Sequence, residues 1–259
     1  MTLCDTFRRQ AIWTWDSLRQ ARQVSCQIGE ESLTDFNLLR LRLRHPDEIF
    51  IRSFTKPAES RTGADWEWWL TGPSGDWLGF RVQAKVLDLA TETFRHLHYQ
   101  LKSGMYQSEV LIKASANQPP RIPIYCFYLN VTDWRRLRRV VPLDIYRASV
   151  RSLGCSLLDA REVERLRANV PTDLSLDRIL PTTIPWHYLV CPHVPIPGDL
   201  PSRARAIWSA QYGGELPALT KNPPDYVLRV LYREPVEVLS DASIPSHVTV
   251  IRELREGGA

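Results

Sequence analysis

The residues best suited to chemistry lie in one short stretch, Gly63 to Lys85, GADWEWWLTGPSGDWLGFRVQAK. Read with a period of two, it is two strands joined by a turn at Pro73, Ser74 and Gly75. Asp65, Glu67 and Trp69 share a face of the first strand. Arg81, Gln83 and Lys85 share a face of the second, opposite Phe80, Val82, Ala84 and Val86. A hairpin closing symmetrically about Ser74 sets Asp65 across from Gln83, with Cβ atoms about 4.5–5.5 Å apart. A carboxylate, an amide oxygen and an ammonium then gather on one patch, with Glu67 two residues along. Polar residues on a solvated outer sheet face are the commoner origin of such a pattern. Against that stands a lone Lys beside Asp in a chain whose 33 cations include only five lysines, at 56, 85, 102, 113 and 221.

The elements that must position this patch follow from periodicity. Phe7, Ala11, Trp15, Leu18 and Ala21 predict a helix over residues 5–24. Leu33, Phe36, Leu39 and Leu43 predict a second over 31–44, with those four available for burial. Glu31 and Asp35 fall on one side of it, and Ser32 with Asp35 reads as a capping box that leaves Glu31 just outside the first turn. His45 and Pro46 end it. Residues 48–54 alternate as a strand, and 55–62 form a loop. Leu89, Phe94, Leu97 and Leu101 predict a helix from Asp88 to Ser103, closed by Gly104. A shorter helix spans 107–116 and a buried strand spans 121–130. Further on, the pattern predicts a basic helix at 134–140, a charged helix at 159–169 and a strand at 186–191. A helix near 202–211 and strands at 225–233 and 247–254 complete it.

Composition sets bounds. At 259 residues the chain suits one large domain or two small ones. We expect a core at 1–130 and an extension at 131–259 packed on it, continuous with it or able to dock another subunit or a second copy. A net charge of +4 permits a polyanionic partner without requiring one. The cysteines at 4, 26, 126, 155 and 191 form no CxxC pair and predict reduced thiols in a cytoplasmic protein. No apolar run reaches the roughly 18 residues of a membrane span, and the N-terminus lacks a signal-peptide core. No GxSxG, HExxH or Walker loop occurs, which removes the usual serine-hydrolase, zincin and NTPase readings.

The order helix, three strands, helix, strand through residue 130 carries an acid in its helix, Asp on the second strand and QxK on the third. In this the chain resembles the PD-(D/E)xK nuclease superfamily, on Glu31, on Gly63-Ala64-Asp65 and on Gln83-Ala84-Lys85. The likeness covers about residues 31–130 and is nearest to the branch carrying QxK, which includes restriction enzymes acting on modified DNA. It implies an α/β fold with a restriction-endonuclease-like αβββαβ core, a mixed sheet flanked by helices, and an α+β extension after it. It implies Mg²⁺ (or Mn²⁺) held by Asp65, the Gln83 amide oxygen, the Ala84 carbonyl and Glu31, directly or through water. Lys85 would orient the attacking water and stabilise charge in the transition state. Gln83 departs from the acidic version, leaving a site of lower negative charge that Glu67 can offset. The implied activity is hydrolysis of DNA, in restriction or phage defence. A nuclease acting on RNA and an inactive module of the same fold that binds nucleic acid or protein are the alternatives.

Other residues have plainer readings. Gln107 sits where some related exonucleases carry a glutamine, and reads as a helix-surface residue. His96 and His98 are badly spaced for a metal on a helix and read as exposed. Cys191-Pro192-His193 lacks partners for zinc and reads as a loop. Trp134-Arg135-Arg136-Leu137-Arg138-Arg139 is the densest cationic run, and Arg135, Arg136, Arg138 and Arg139 are the candidate phosphate contacts. A solvated helix side pairing with the acids at 159–164 explains that run equally well.

Overall fold

Eight of the residues on the first helix, Phe7, Ala11, Trp15 and Leu18 among them, are buried along one stripe. The helix must therefore lie flat on an apolar surface, and a sheet provides it. The computed structural model describes residues 1–54, 62–133, 135, 149–172, 174–191, 196–235 and 244–254. Its elements run α1 (Leu3–Gln23), α2 (Glu30–Arg44), β1 (Ile49–Ser53), β2 (Trp66–Thr71), β3 (Trp77–Val86), α3 (Gln107–Ser115) and β4 (Ile122–Tyr128). They continue β5 (Cys155–Asp159), α4 (Ala160–Asn169), α5 (Leu176–Ile179), β6 (Ile184–Pro185), α6 (Leu200–Tyr212), α7 (Asp225–Tyr232) and β7 (His247–Arg252).

The strands form one seven-stranded sheet in the order β1-β7-β2-β3-β4-β5-β6. β7 runs parallel to β2 and β3 parallel to β4, and the other pairs are antiparallel. This is an α/β architecture with a mixed sheet flanked by helices. β7, from the far end of the chain, lies between β1 and β2, so the sheet is continuous across a boundary near residue 130. α1, α2 and α6 cover one face, where Trp66, Trp68, Phe80, Val82 and Ala84 are buried. α3, α4 and α7 cover the other. Among the described residues no helix is long and apolar enough to cross a membrane.

The hairpin closes as symmetry about Ser74 requires: Trp66 pairs with Val82 and Glu67 with Arg81. Gly75, at φ +74°, takes the left-handed turn position and donates its N–H to the Gly72 carbonyl at 3.0 Å. Both faces of the hairpin are covered, so its charged face is buried rather than solvated. Glu67 is fully buried among compensating groups. Arg81 Nε lies 2.8 Å and Arg121 Nε 3.1 Å from its Oε1, while Trp69 Nε1 and Tyr226 Oη donate to its Oε2 at 2.9 and 2.7 Å. The offset to site charge expected from Glu67 is thereby corrected: this carboxylate is committed to two guanidiniums.

Several sequence expectations need correction. The segment 88–103 is not a helix but a series of turns and isolated bridges. Asp88 Oδ1 accepts from the backbone N–H groups of Ala90 and Thr91, offering the chain a local alternative to helical bonding. Residues 225–232 are helical, because Tyr226, Val227, Val230 and Leu231 repeat with helical spacing behind Pro224. Residues 186–189 form a 3₁₀ turn rather than a strand. On α2 the buried side is Leu33, Thr34, Asn37, Leu38 and Leu41, leaving Phe36, Leu39 and Leu43 exposed. Polar partners turn the helix that way: Thr34 Oγ1 meets Tyr128 Oη at 2.9 Å and Asn37 Nδ2 donates to Thr14 Oγ1 at 3.0 Å.

Not all five thiols are reduced. Cys4 and Cys191 form a disulfide across 187 residues, with Cα atoms 4.6 Å apart. The turn at 186–189 docks on α1, Trp186 Nε1 donating to the Phe7 carbonyl at 2.7 Å, and this contact brings the two cysteines together. The basic helix expected at 134–140 falls largely outside the described residues, as does His193.

Replacing Glu67 tests the buried cluster. Glu67→Gln removes the carboxylate that two buried guanidiniums share and is expected to destabilise the fold by about 3–5 kcal/mol in urea denaturation. Burial alone would push the Glu67 carboxyl up, but Arg121 and Arg81 hold it below the usual range. Its contribution is therefore complete above the ordinary carboxylate pKa and is lost as pH falls through the depressed value. The wild type should lose stability over that acid window, and Glu67→Gln should lose this component of the pH dependence.

Candidate functional site

Asp65 is set at the mouth of the hairpin by the turn before it. Gly63 adopts φ +63°, and a Cβ there would lie 2.8 Å from the Gln107 carbonyl oxygen. Only glycine allows the chain to pass so close to the start of α3. Asp65 N then donates to the Val82 carbonyl at 2.9 Å, and Ser246 Oγ donates to the Asp65 carbonyl at 2.7 Å.

The side chains form a directed chain. Gln107 Nε2 donates to Gln83 Oε1 at 2.7 Å, and Gln83 Nε2 donates to Asp65 Oδ2 at 2.8 Å. The same carboxylate oxygen accepts from Ala84 N at 2.6 Å, and Gln83 Nε2 lies 3.1 Å from the Ala84 carbonyl. Asp65, Gln83 and the Ala84 backbone thus meet within hydrogen-bonding distance. Lys85 follows two residues along β3, on the Gln83 face by strand alternation, and its side chain is buried. Among the described residues the Lys85 ammonium makes no hydrogen bond or ion pair.

Glu31 is exposed, and Glu30 makes the contact with β3: its Oε1 accepts from Val86 N at 3.1 Å. The reason is where the helix begins. Gly29 is the N-cap, so Glu30 and Glu31 both sit in the first turn about 100° apart, and Glu30 reaches Val86 N. Gln107 is not a helix-surface residue; it is buried beside Gln83, and its Oε1 has no hydrogen-bond partner among the described residues. Tyr125, which pairs with Gln83 across β3 and β4, is likewise buried with its hydroxyl unpartnered. Burial first, and the Asp65 carboxylate next, push that phenol well above its usual pKa, so it stays protonated.

Around this group α4 contributes Arg167, whose Nη2 lies 2.6 Å from Glu109 Oε1 and whose guanidinium covers the Tyr106 ring at 3.8 Å. Burial, and then Glu109, raise the Glu164 carboxyl above its usual range. Both ring nitrogens of His98 are buried without partners, unlike the exposed imidazole expected there. Burial, then Arg167, depress its pKa. Of the basic run, Arg135 is exposed, and Arg136, Arg138 and Arg139 lie outside the described residues.

Among the described residues no group of three or more His, Cys, Asp and Glu side chains is disposed to hold a metal. The oxygens gathered at Asp65 are a different kind of set: its carboxylate, an amide and a main-chain carbonyl. Such hard, partly neutral donors fit Mg²⁺, which keeps several waters. One feature of the geometry conditions the fit. Gln83 turns its amide nitrogen toward Asp65, so presenting its oxygen to a cation requires the amide to rotate. Gln83 Nε2 would then face Gln107, whose orphaned Oε1 can accept once that amide also turns.

The Gln83→Glu variant tests this arrangement. It replaces a donor to Asp65 with a second carboxylate, so the protein without metal should lose about 1–3 kcal/mol from the missing hydrogen bond and like-charge repulsion. Added Mg²⁺ should recover that loss in a thermal-shift measurement more than it shifts the wild type. An equal Mg²⁺ response in both would count against cation binding here.

No curated protein and no solved structure matches the chain. One family model does, described as "Family of unknown function (DUF6615)", and it spans residues 3–257, through every strand of the sheet and the candidate residues Glu31, Asp65, Gln83 and Lys85. The chain therefore belongs to the DUF6615 family.

Proposed function

We propose that this protein is a metal-dependent nuclease of the PD-(D/E)xK kind, hydrolysing phosphodiester bonds in DNA. The observation that carries the reading is the meeting of Asp65, Gln83 and the Ala84 backbone at the mouth of the hairpin, with Lys85 buried two residues along the same strand. The αβββαβ order of α2, β1, β2, β3, α3 and β4 supports it, as does the parallel pairing of β3 and β4. A restriction or phage-defence setting follows from the likeness of the motifs.

Mg²⁺ or Mn²⁺ would supply a Lewis acid for charge developing on the phosphate and a more acidic bound water. Asp65, with Glu30 and Glu31 in the neighbouring helix turn, would hold the ion, aided by the Gln83 amide and Ala84 carbonyl oxygens. Ala84 N and the Gln107–Gln83 pair orient the Asp65 carboxylate, so its direction does not depend on solvent. Lys85 would orient the attacking water and offset negative charge at the phosphate, an effect strengthened where water is excluded.

A second reading rests on the direction of the amide chain. Gln83 donating to Asp65 occupies the acid with a neutral partner, as suits an inactive module that binds nucleic acid or protein. One experiment separates the two: DNA and RNA, linear and plasmid, incubated with Mg²⁺ or Mn²⁺. The nuclease reading expects cleavage that falls at least about a hundredfold in Asp65→Ala and in Lys85→Ala. Cleavage that survives both substitutions would remove this site from the reaction, and binding without cleavage by the wild type would favour the inactive module.

A further inference from the structure

On the sheet edge away from β6, four arginines line one cavity of about 320 Å³: Arg42, Arg52, Arg229 and Arg233, together with Phe50 and Ser53. Three guanidiniums gather on the Phe50 ring, Arg42 at 5.4 Å, Arg233 at 5.5 Å and Arg252 at 5.1 Å from its centroid. Their bonds go to main-chain carbonyls. Arg42 donates to Pro46 and Ile49, Arg52 to Glu234, Arg229 to Pro235, Arg233 to Pro46 and Arg252 to Asp47. Among the described residues none of the five pairs with a carboxylate within 4.0 Å.

Part of this crowding has a local cause. α2 and α7 both end here, and helix C-termini favour cations. Two helix ends supply together about one negative charge, too little to balance the four guanidiniums of the lining. Each guanidinium has five N–H donors, and the carbonyls occupy only one or two of them. Burial lowers the Arg42 pKa, and the neighbouring Arg233 charge lowers it further, with Asp47 opposing. Like charges are held together with unused donors, an arrangement that an oxyanion with several acceptor oxygens relieves.

Register relates this cavity to Asp65. Ser53 pairs with His247, His247 with Trp66, and Trp66 with Val82, so the cavity rim is level with the strand ends that carry Asp65 and Gln83. Arg52 aligns with Val248, Glu67 and Arg81, hence on the same face of the sheet. Two inter-strand steps separate β1 from β2, which Asp65 precedes, on the order of 10 Å, or about three nucleotide steps along one strand.

We propose that Arg42, Arg52, Arg229 and Arg233 form a backbone-phosphate subsite that seats a nucleic-acid strand about three nucleotides from Asp65. Its role in positioning a scissile bond rests on the nuclease reading; its affinity for a phosphodiester backbone does not. The test is fluorescence anisotropy of labelled DNA and RNA oligonucleotides in EDTA across a salt series. It compares wild type, Asp65→Ala, Arg52→Ala with Arg229→Ala, and the matching pair of Lys substitutions. The double Ala protein should bind about tenfold or more weakly, with a salt slope shallower by one to two. The double Lys protein should keep most of the affinity, and Asp65→Ala, which removes a negative charge, should bind no more weakly than the wild type. Thermal melts establish that each variant is folded.

Unchanged affinity and slope in a folded double Ala protein would overturn the subsite, as would an equal loss in the double Lys protein. Arginine-dependent binding by a wild type that cleaves nothing leaves the subsite standing and removes the nuclease reading. Cleavage with arginine-independent binding does the reverse.

Discussion

The burial of a charged strand face constrains everything else in this protein. β2 and β3 lie in the middle of the sheet with helices on both sides, yet one of their faces carries Glu67, Arg81, Gln83 and Lys85. Removing such groups from water is tolerable only when each finds a partner of opposite charge or complementary hydrogen bonding. Glu67 meets this requirement through Arg81, Arg121, Tyr226 and Trp69, drawn from β3, the segment before β4, α7 and its own strand. One buried carboxylate thereby ties together segments separated by 159 residues.

The same face continues into the candidate site, where the solution differs. Asp65 accepts from the main chain of Ala84 and from the Gln83 amide, which Gln107 holds in turn. Lys85 alongside it, buried and without a partner among the described residues, completes a contrast with the neutralised cluster two residues down the hairpin.

Glutamine is the unusual choice on this face. An acid at position 83 would repel Asp65 in the absence of metal, whereas the amide donates to it. The consequence is an ordered carboxylate at the hairpin mouth. Gln107 Nε2 holds Gln83, and its second amide atom is buried without a hydrogen-bond partner among the described residues.

Alternation and turn chemistry were enough to read the hairpin, its register about Ser74, and the approach of Asp65 to Gln83, since period and loop length determine strand pairing locally. Helical spacing was likewise enough for α1, α2, α3, α4 and α6. What failed were segments whose apolar residues suit more than one period, such as 88–103 and 225–232, where an Asp88 turn and a pair of prolines decided the outcome. The bond of Glu30 to β3, the burial of Gln107, the commitment of Glu67 and the Cys4–Cys191 disulfide were not legible. Each depends on which distant segment lies alongside. Sequence alone determined which polar residues share a strand face; only the tertiary structure decided which of them are neutralised there, because a buried charge is defined by partners the chain brings from far away.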